Sequence, residues 1–218
     1  MLAQLSIPRV YGLFDERVWV RAAGIVDCVD ALFPEEQVTI ARAVPRRQRE
    51  FATGRLLARE LLGELGFAAS PLVAGADRVP CWPAGAVGSI AHADGFCVVA
   101  VARSGDFSCL GVDLETDAPL EAELRDIVCG SAEPPATVDD FGRWAKAVFC
   151  VKEAVYKSWF SCQQAALEFS DVDARVDLAR GRFEATAAKD GVSRTVQGRV
   201  IRRDGWILAG TATEAAAR

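Results

Sequence analysis

An α+β fold built as two halves is what the order of periodic segments predicts for this chain of 218 residues. The segments run helix, strands, helix, strands, which is not the strict strand–helix alternation of a parallel wound sheet. Two stretches carry apolar residues at helical spacing: Leu57, Leu61, Leu62 and Leu65, then Val148, Phe149, Val151, Val155 and Trp159. Between and after them lie short β-rich runs separated by turn residues such as Asp94-Gly95 and Ser104-Gly105. The boundary between the halves is expected near residue 107, giving 1–107 and 108–218.

Taken in order, residues 18–26 read as a strand. Pro34 and Glu35 open a helical region that resumes after Pro45 and stops at about Gly66. Residues 75–88 are rich in Gly and Pro and read as an irregular connection around Pro80, Trp82 and Pro83. Residues 87–92, 96–101 and 109–115 read as three strands of a meander. A short helix over 121–128 leads into a loop at 130–137, where Pro134-Pro135 excludes regular structure. Asp139 or Asp140 is placed to cap a long helix running through Trp159. Four further strands are expected at 169–178, 182–187, 195–201 and 206–211.

With 51% hydrophobic residues the chain can bury a substantial core. A formal net charge of −5 argues against general nucleic-acid binding, which needs a surplus of Lys and Arg. The start lacks a basic segment followed by an apolar stretch, and the longest apolar run, 96–102, is too short to cross a bilayer. A soluble cytoplasmic protein is expected, without membrane or nucleic-acid partners. Seven cysteines with no CxxC pair indicate neither a disulfide framework nor a zinc site, so reduced thiols are expected.

Chemistry concentrates in a few short pieces. In a strand, Asp113 and Glu115 share one face while Val112 and Leu114 point to the other. In a helix, Glu153 and Lys157 stack one turn apart. Three converging carboxylates repel unless a cation sits among them, and a hard divalent ion, chiefly Mg²⁺, suits phosphate substrates. Each piece alone is commonplace, since an Asp-x-Glu is usually a solvated face and Lys-Glu-x-x-x-Lys is usually surface patterning. The only histidine, His92, sits where a strand enters a turn. Arg46, Arg47, Arg49, Arg55 and Arg59 concentrate positive charge in an acidic protein. Arg55 and Arg59, four apart, should repel, a strain that an anion, or in part Glu50 and Glu60, would relieve.

The pieces occur in one order: Arg47-x-Arg49-Glu50-Phe51 with Gly54-Arg55; Arg78-x-Pro80-x-Trp82-Pro83 with Gly88-Ser89-Ile90-x-His92; Gly111-Val112-Asp113-Leu114-Glu115; and Phe149-Cys150-x-Lys152-Glu153-Ala154-x-Tyr156-Lys157. This set closely resembles the 4′-phosphopantetheinyl transferases, in particular the broad-range branch that includes siderophore-synthesis activators. The resemblance implies a pseudo-twofold arrangement of two similar α+β halves, with coenzyme A and Mg²⁺ in the cleft between them. It implies Asp113, Glu115 and Glu153 as metal ligands, with Glu153 also the general base. Lys157 would neutralise and protonate the leaving phosphate, and Lys152, His92, Arg47, Arg55 and Arg78 would contact coenzyme A. One position departs from the pattern: Ala91 stands where the family usually carries Ser or Thr.

The activity implied is transfer of phosphopantetheine from coenzyme A to a serine of an apo acyl or peptidyl carrier protein. A monomer is expected, because a chain of two halves can enclose its own site. A hydrolase or small-molecule acyl transferase would need a nucleophile that no motif supplies. A non-enzymatic carrier-binding module would be favoured by loss of an acid or of Lys157, and none is lost.

Overall fold

Two antiparallel sheets and two long helices organise the computed structural model, which describes residues 6–7, 12–75, 79–130 and 140–216. In chain order the elements are β1 (Ser6–Ile7), β2 (Trp19–Gly24), α1 (Pro34–Ile40), α2 (Pro45–Glu64), β3 (Ala86–Ala93), β4 (Phe96–Arg103), β5 (Phe107–Thr116), α3 (Ala122–Cys129), α4 (Phe141–Gln163), β6 (Val172–Asp177), β7 (Arg182–Lys189), β8 (Val192–Arg203) and β9 (Trp206–Glu214). This is the expected α+β class. The first sheet has the order β1-β2-β4-β3 and the second β5-β9-β8-β7-β6.

Local chemistry explains the boundaries. Pro45 sits in the first turn of α2, where its missing N–H costs nothing, and Gly66 follows the helix with φ of +87°. Asp140 caps α4 by accepting a hydrogen bond from the Arg143 backbone N–H at 3.1 Å, and Gln164 closes the helix in the left-handed region. The helix therefore runs about one turn beyond Trp159. Three hairpins close on Asp-Gly pairs with positive φ at both residues: Asp94-Gly95, Asp190-Gly191 and Asp204-Gly205. Such turns twist in the same sense as the strands they join.

Two expectations about strands are corrected. The run expected as a three-stranded meander is divided, because β5 leaves β4 and pairs with β9 of the second sheet. A hydrophobic alternation identifies a strand but not its neighbour, which is decided by where the chain returns. In addition, Phe169–Asp171 forms a 3₁₀ turn that precedes β6, closed by an Asp171 carboxylate bond to the Glu168 N–H.

The core lies in layers. Helix α2 packs Leu57, Ala58, Leu61 and Leu62 on Cys97, Val99 and Val101 of β4. The opposite faces of β4 and β3, through Val98, Ala100 and Ala91, meet Leu110, Val112 and Leu114 of β5. Helix α4 then covers the outer face of the second sheet, with Ala147, Val151 and Val155 against Val176, Ala185 and Ile207. Both faces of β5 are thus covered, and the Ser89 hydroxyl on β3 accepts the Val112 N–H at 3.0 Å where no strand partner does.

The thiols also depart from expectation. Cys109 on β5 and Cys162 on α4 form a disulfide with Cα atoms 6.1 Å apart, while Cys28, Cys81, Cys97, Cys129 and Cys150 are free. The two are separated by 53 residues, so only the antiparallel packing of α4 on β5 brings them within bonding range. No described helix is long and apolar enough to cross a membrane.

Candidate active site

The strand β5 presents Cys109, Gly111, Asp113 and Glu115 to α4, and the helix answers in the reverse direction. Lys146 lies against Glu115, Lys157 against Asp113, Ala154 and Ser158 against Gly111, and Cys162 against Cys109. Lys146, Cys150, Glu153 and Lys157 fall at steps of four, three and four residues, the spacing of one helical stripe. That periodicity was the signal from which Lys146, absent from the sequence reading, is recoverable.

The Lys157 Nζ donates to Asp113 Oδ1 at 2.6 Å and to the Val112 carbonyl at 3.3 Å. Asp113 is buried, and among the described residues its second oxygen, Oδ2, has no partner in bonding geometry, although the Cys150 thiol lies close enough for the Asp113 carboxylate to help raise its pKa. An orphaned carboxylate oxygen within the electrostatic reach of Glu115 and Glu153 suits a cation. Burial pulls the Lys157 ammonium downward, but the Asp113 carboxylate beside it outweighs that effect, so its pKa is raised and it stays protonated. Burial, followed by the Asp113 charge, pushes the Glu153 carboxyl up. Burial likewise raises Glu115, although Lys146 opposes the shift. Among the described residues no three His, Cys, Asp or Glu side chains stand together closely enough to hold an ion as they are. The lysines occupy the carboxylates instead.

Arg47, Arg55 and His92 line one cavity of about 420 Å³ between α2 and β3. Arg59, the neighbour expected to repel Arg55, turns away to Glu36 at 2.7 Å. Among the described residues Arg55 has no carboxylate partner; it donates through Nε to the Leu72 carbonyl at 2.6 Å and stacks over Phe51. Burial depresses its pKa to about 10, so the guanidinium is still charged at neutral pH. Glu50 takes Arg46 at 2.9 Å and Arg47 at 3.4 Å, and Arg47 also contacts the His92 Nε2. Burial lowers the His92 pKa, leaving a neutral imidazole at pH 7. Ala91 packs in the core between the sheets, and its side chain projects from the strand face opposite His92.

Glu153 and Lys152 border a second cavity of about 1030 Å³, with Tyr156, Ile127, Leu167 and Phe169 in its lining. There Lys152 is buried and donates to the Phe169 carbonyl at 2.8 Å, its pKa lowered by burial. The fold thus brings Asp113, Glu115, Glu153 and Lys157 to one seam and Arg47, Arg55 and His92 to one cavity, while Lys152 borders the larger cavity together with Glu153. Arg78 lies outside the described residues.

An acidic seam with a protonated lysine thus lies beside a basic cavity and a larger mixed one. Comparison with known proteins gives that arrangement a family. A model of the 4′-phosphopantetheinyl transferase N-terminal domain matches residues 35–102. The chain is 40% identical over 164 residues to 4′-phosphopantetheinyl transferase Svp of Streptomyces mobaraensis, spanning 73% of this chain and 67% of that protein. It is 35% identical over 165 residues to 4′-phosphopantetheinyl transferase PptT of Mycobacterium tuberculosis, spanning 72% and 73%. Enterobactin synthase component D of Escherichia coli O157:H7 is 30% identical over 134 residues, spanning 59% of this chain and 63% of that one. The chain belongs to the 4′-phosphopantetheinyl transferase family and is an enzyme of that type.

Proposed function

We propose that the chain transfers 4′-phosphopantetheine from coenzyme A to a serine hydroxyl of an apo acyl or peptidyl carrier protein, in a Mg²⁺-dependent reaction that releases adenosine 3′,5′-bisphosphate. The observation that carries this reading is the Asp113–Lys157 pair at 2.6 Å, with Glu153 one helical turn away on the same face.

Coenzyme A has a phosphorylated nucleotide end and a slender pantetheine arm. The basic cavity of Arg47, Arg55 and His92 suits the first, with Arg78 a further candidate on the connection before β3. The larger cavity beside Glu153 suits the second, with Lys152 near its phosphate end. The diphosphate would then cross the seam. Asp113, Glu115 and Glu153 are the oxygen donors for Mg²⁺, which when bound would draw charge from the diphosphate.

The serine oxygen attacks the phosphorus that bears pantetheine, and the bond from that phosphorus to the oxygen of the departing nucleotide breaks. Glu153, whose raised pKa brings it nearer the serine proton in basicity, accepts that proton directly or through water. Lys157, held protonated, balances the charge on the leaving phosphate. Most of the acceleration comes from position and electrostatics. All these residues lie in one chain divided near residue 107, which supports a monomer with its site between two related halves.

Incubation of the protein with coenzyme A, Mg²⁺ and an apo carrier protein, followed by mass measurement of the carrier, tests the proposal. The carrier is expected to gain one phosphopantetheine group, and to gain none when its acceptor serine is replaced by alanine. An unmodified carrier in the presence of bound coenzyme A would refute the assignment.

A further inference from the structure

Each carboxylate that β5 offers to the seam is already held by a lysine of α4, and the two holds differ. Lys157 is anchored twice, on Asp113 at 2.6 Å and on the Val112 carbonyl at 3.3 Å. Lys146 makes one bond, to Glu115 Oε2 at 3.2 Å, and its ammonium otherwise lies 5.6 Å from the centre of the Phe149 ring. Its side chain keeps 16% of its exposure, and Glu115 keeps 23%. Among the described residues no second bond fixes the Lys146 head group, and its four-carbon stem can swing it away.

The charges near Glu115 make that single bond consequential. Asp113 and Asp94 both repel the Glu115 carboxylate, and Lys146 is the attractive group that faces it. Cys150, between Lys146 and Glu153 on the stripe, directs its Sγ to the Ile207 carbonyl at 3.7 Å and offers no charge. We infer that Lys146 is a positioning residue, an internal counter-ion that holds Glu115 aimed into the seam and that a divalent cation displaces on binding. The inference rests on the proposed cation site of Asp113, Glu115 and Glu153.

The chemical argument is competition. A lysine ammonium and a divalent ion seek the same carboxylate oxygens, and an ammonium 3.2 Å from Glu115 repels an ion that approaches there. Lys146 therefore lowers cation affinity while keeping the metal-free acids from repelling one another. Removing its charge and keeping its stem should tighten cation binding, an outcome that a purely structural lysine would not produce.

The test is the Mn²⁺ dependence of the melting temperature of the full chain, read without coenzyme A so that no turnover is involved. Lys146→Met is expected to lower the Mn²⁺ concentration at half-maximal effect by about fivefold, the scale of one partly exposed ion pair. Lys146→Arg, which keeps the charge, is expected to match the wild-type protein or to bind more weakly. Lys146→Gln serves as a second neutral variant if the methionine variant does not fold. Unchanged or weaker Mn²⁺ binding in a folded neutral variant overturns the inference. Failure of the underlying reading is distinguishable: Asp113→Asn and Glu115→Gln would then respond to Mn²⁺ as the wild type does, which overturns the cation site and the role of Lys146 together.

Discussion

Gly111 lies so close to Ala154 that a β-carbon on Gly111 would sit 1.9 Å from the Ala154 carbonyl oxygen. Glycine is required there because backbone meets backbone, and neither side has a flexible end that can move aside. The same approach brings Asp113, two residues further along β5, within 2.6 Å of the Lys157 ammonium. The first residue of the Gly-Val-Asp-Leu-Glu motif therefore sets the distance across which the remaining residues act.

Gly111→Ala is expected to force α4 away from β5 and to destabilise the protein by about 3 kcal/mol, lowering Tm by roughly 6 to 12 °C. Gly63→Ala, where a β-carbon meets nothing within 4 Å, is the control and should gain up to about 1 kcal/mol. Thermal melting of both variants checks the contrast, and a Gly111→Ala protein as stable as wild type would contradict the close approach.

Burial, and then the Asp113 charge, raise the Glu153 carboxyl above its ordinary value. The folded protein thus binds that proton more tightly than the unfolded chain does. Its stability falls as pH rises from the ordinary carboxylate range through the raised folded value, and this effect is absent at lower pH. Glu153→Gln should accordingly raise Tm at pH 7.5 in the absence of metal, with the gain vanishing near pH 4, while abolishing transfer. Equal melting curves for the two proteins at pH 7.5 would argue against an ionised, poorly solvated Glu153.

The two arginines of the basic cavity should respond differently. Arg47 is exposed and, among the described residues, its guanidinium is bonded to the side chains of Glu50 and His92, so Arg47→Ala is expected to weaken coenzyme A binding by about tenfold with little change in Tm. Arg55 is buried and bonded to the Leu72 carbonyl, so Arg55→Ala should lower both affinity and stability. Calorimetric titration with coenzyme A, paired with melting curves, separates these effects. Unchanged affinity in both variants would make the cluster a structural helix face.

Helix α3 leaves Leu124 and Ile127 exposed while Val128 is buried, and Ile127 also lines the cavity beside Glu153. An apolar anchor for the carrier protein is expected on this helix, with modest salt dependence, because an acidic protein does not attract an acidic carrier over a distance. The segment that follows, residues 131–139, lies outside the described residues. Ile127→Asp and Leu124→Asp should raise the KM for carrier protein severalfold while leaving coenzyme A affinity intact. Unaltered carrier kinetics in both would move the docking surface elsewhere.

The family and the α+β class were legible because they reside in local patterns. Alternation along 109–115 marked a strand with two acids on one face, helical spacing joined Glu153 to Lys157, and the pair Asp139-Asp140 announced the start of α4, where Asp140 is the cap. The placement of β5 beside β9, the disulfide between Cys109 and Cys162, and the Lys146–Glu115 pair were not legible. Each joins residues more than 25 positions apart, and no local preference encodes such a meeting.

By itself the sequence determined which segments are helix or strand, where their turns fall, and which residue types are available for phosphate chemistry. Those properties follow from side-chain shape and spacing within a few residues. Only the tertiary structure decided that Lys157 takes Asp113 while Lys146 takes Glu115, that Arg59 goes to Glu36, and that Arg55 is left facing the cavity. The choice among possible partners in a charged sequence depends on how closely whole elements pack, and for the two lysines of α4 that packing is set by the contact between Gly111 and Ala154.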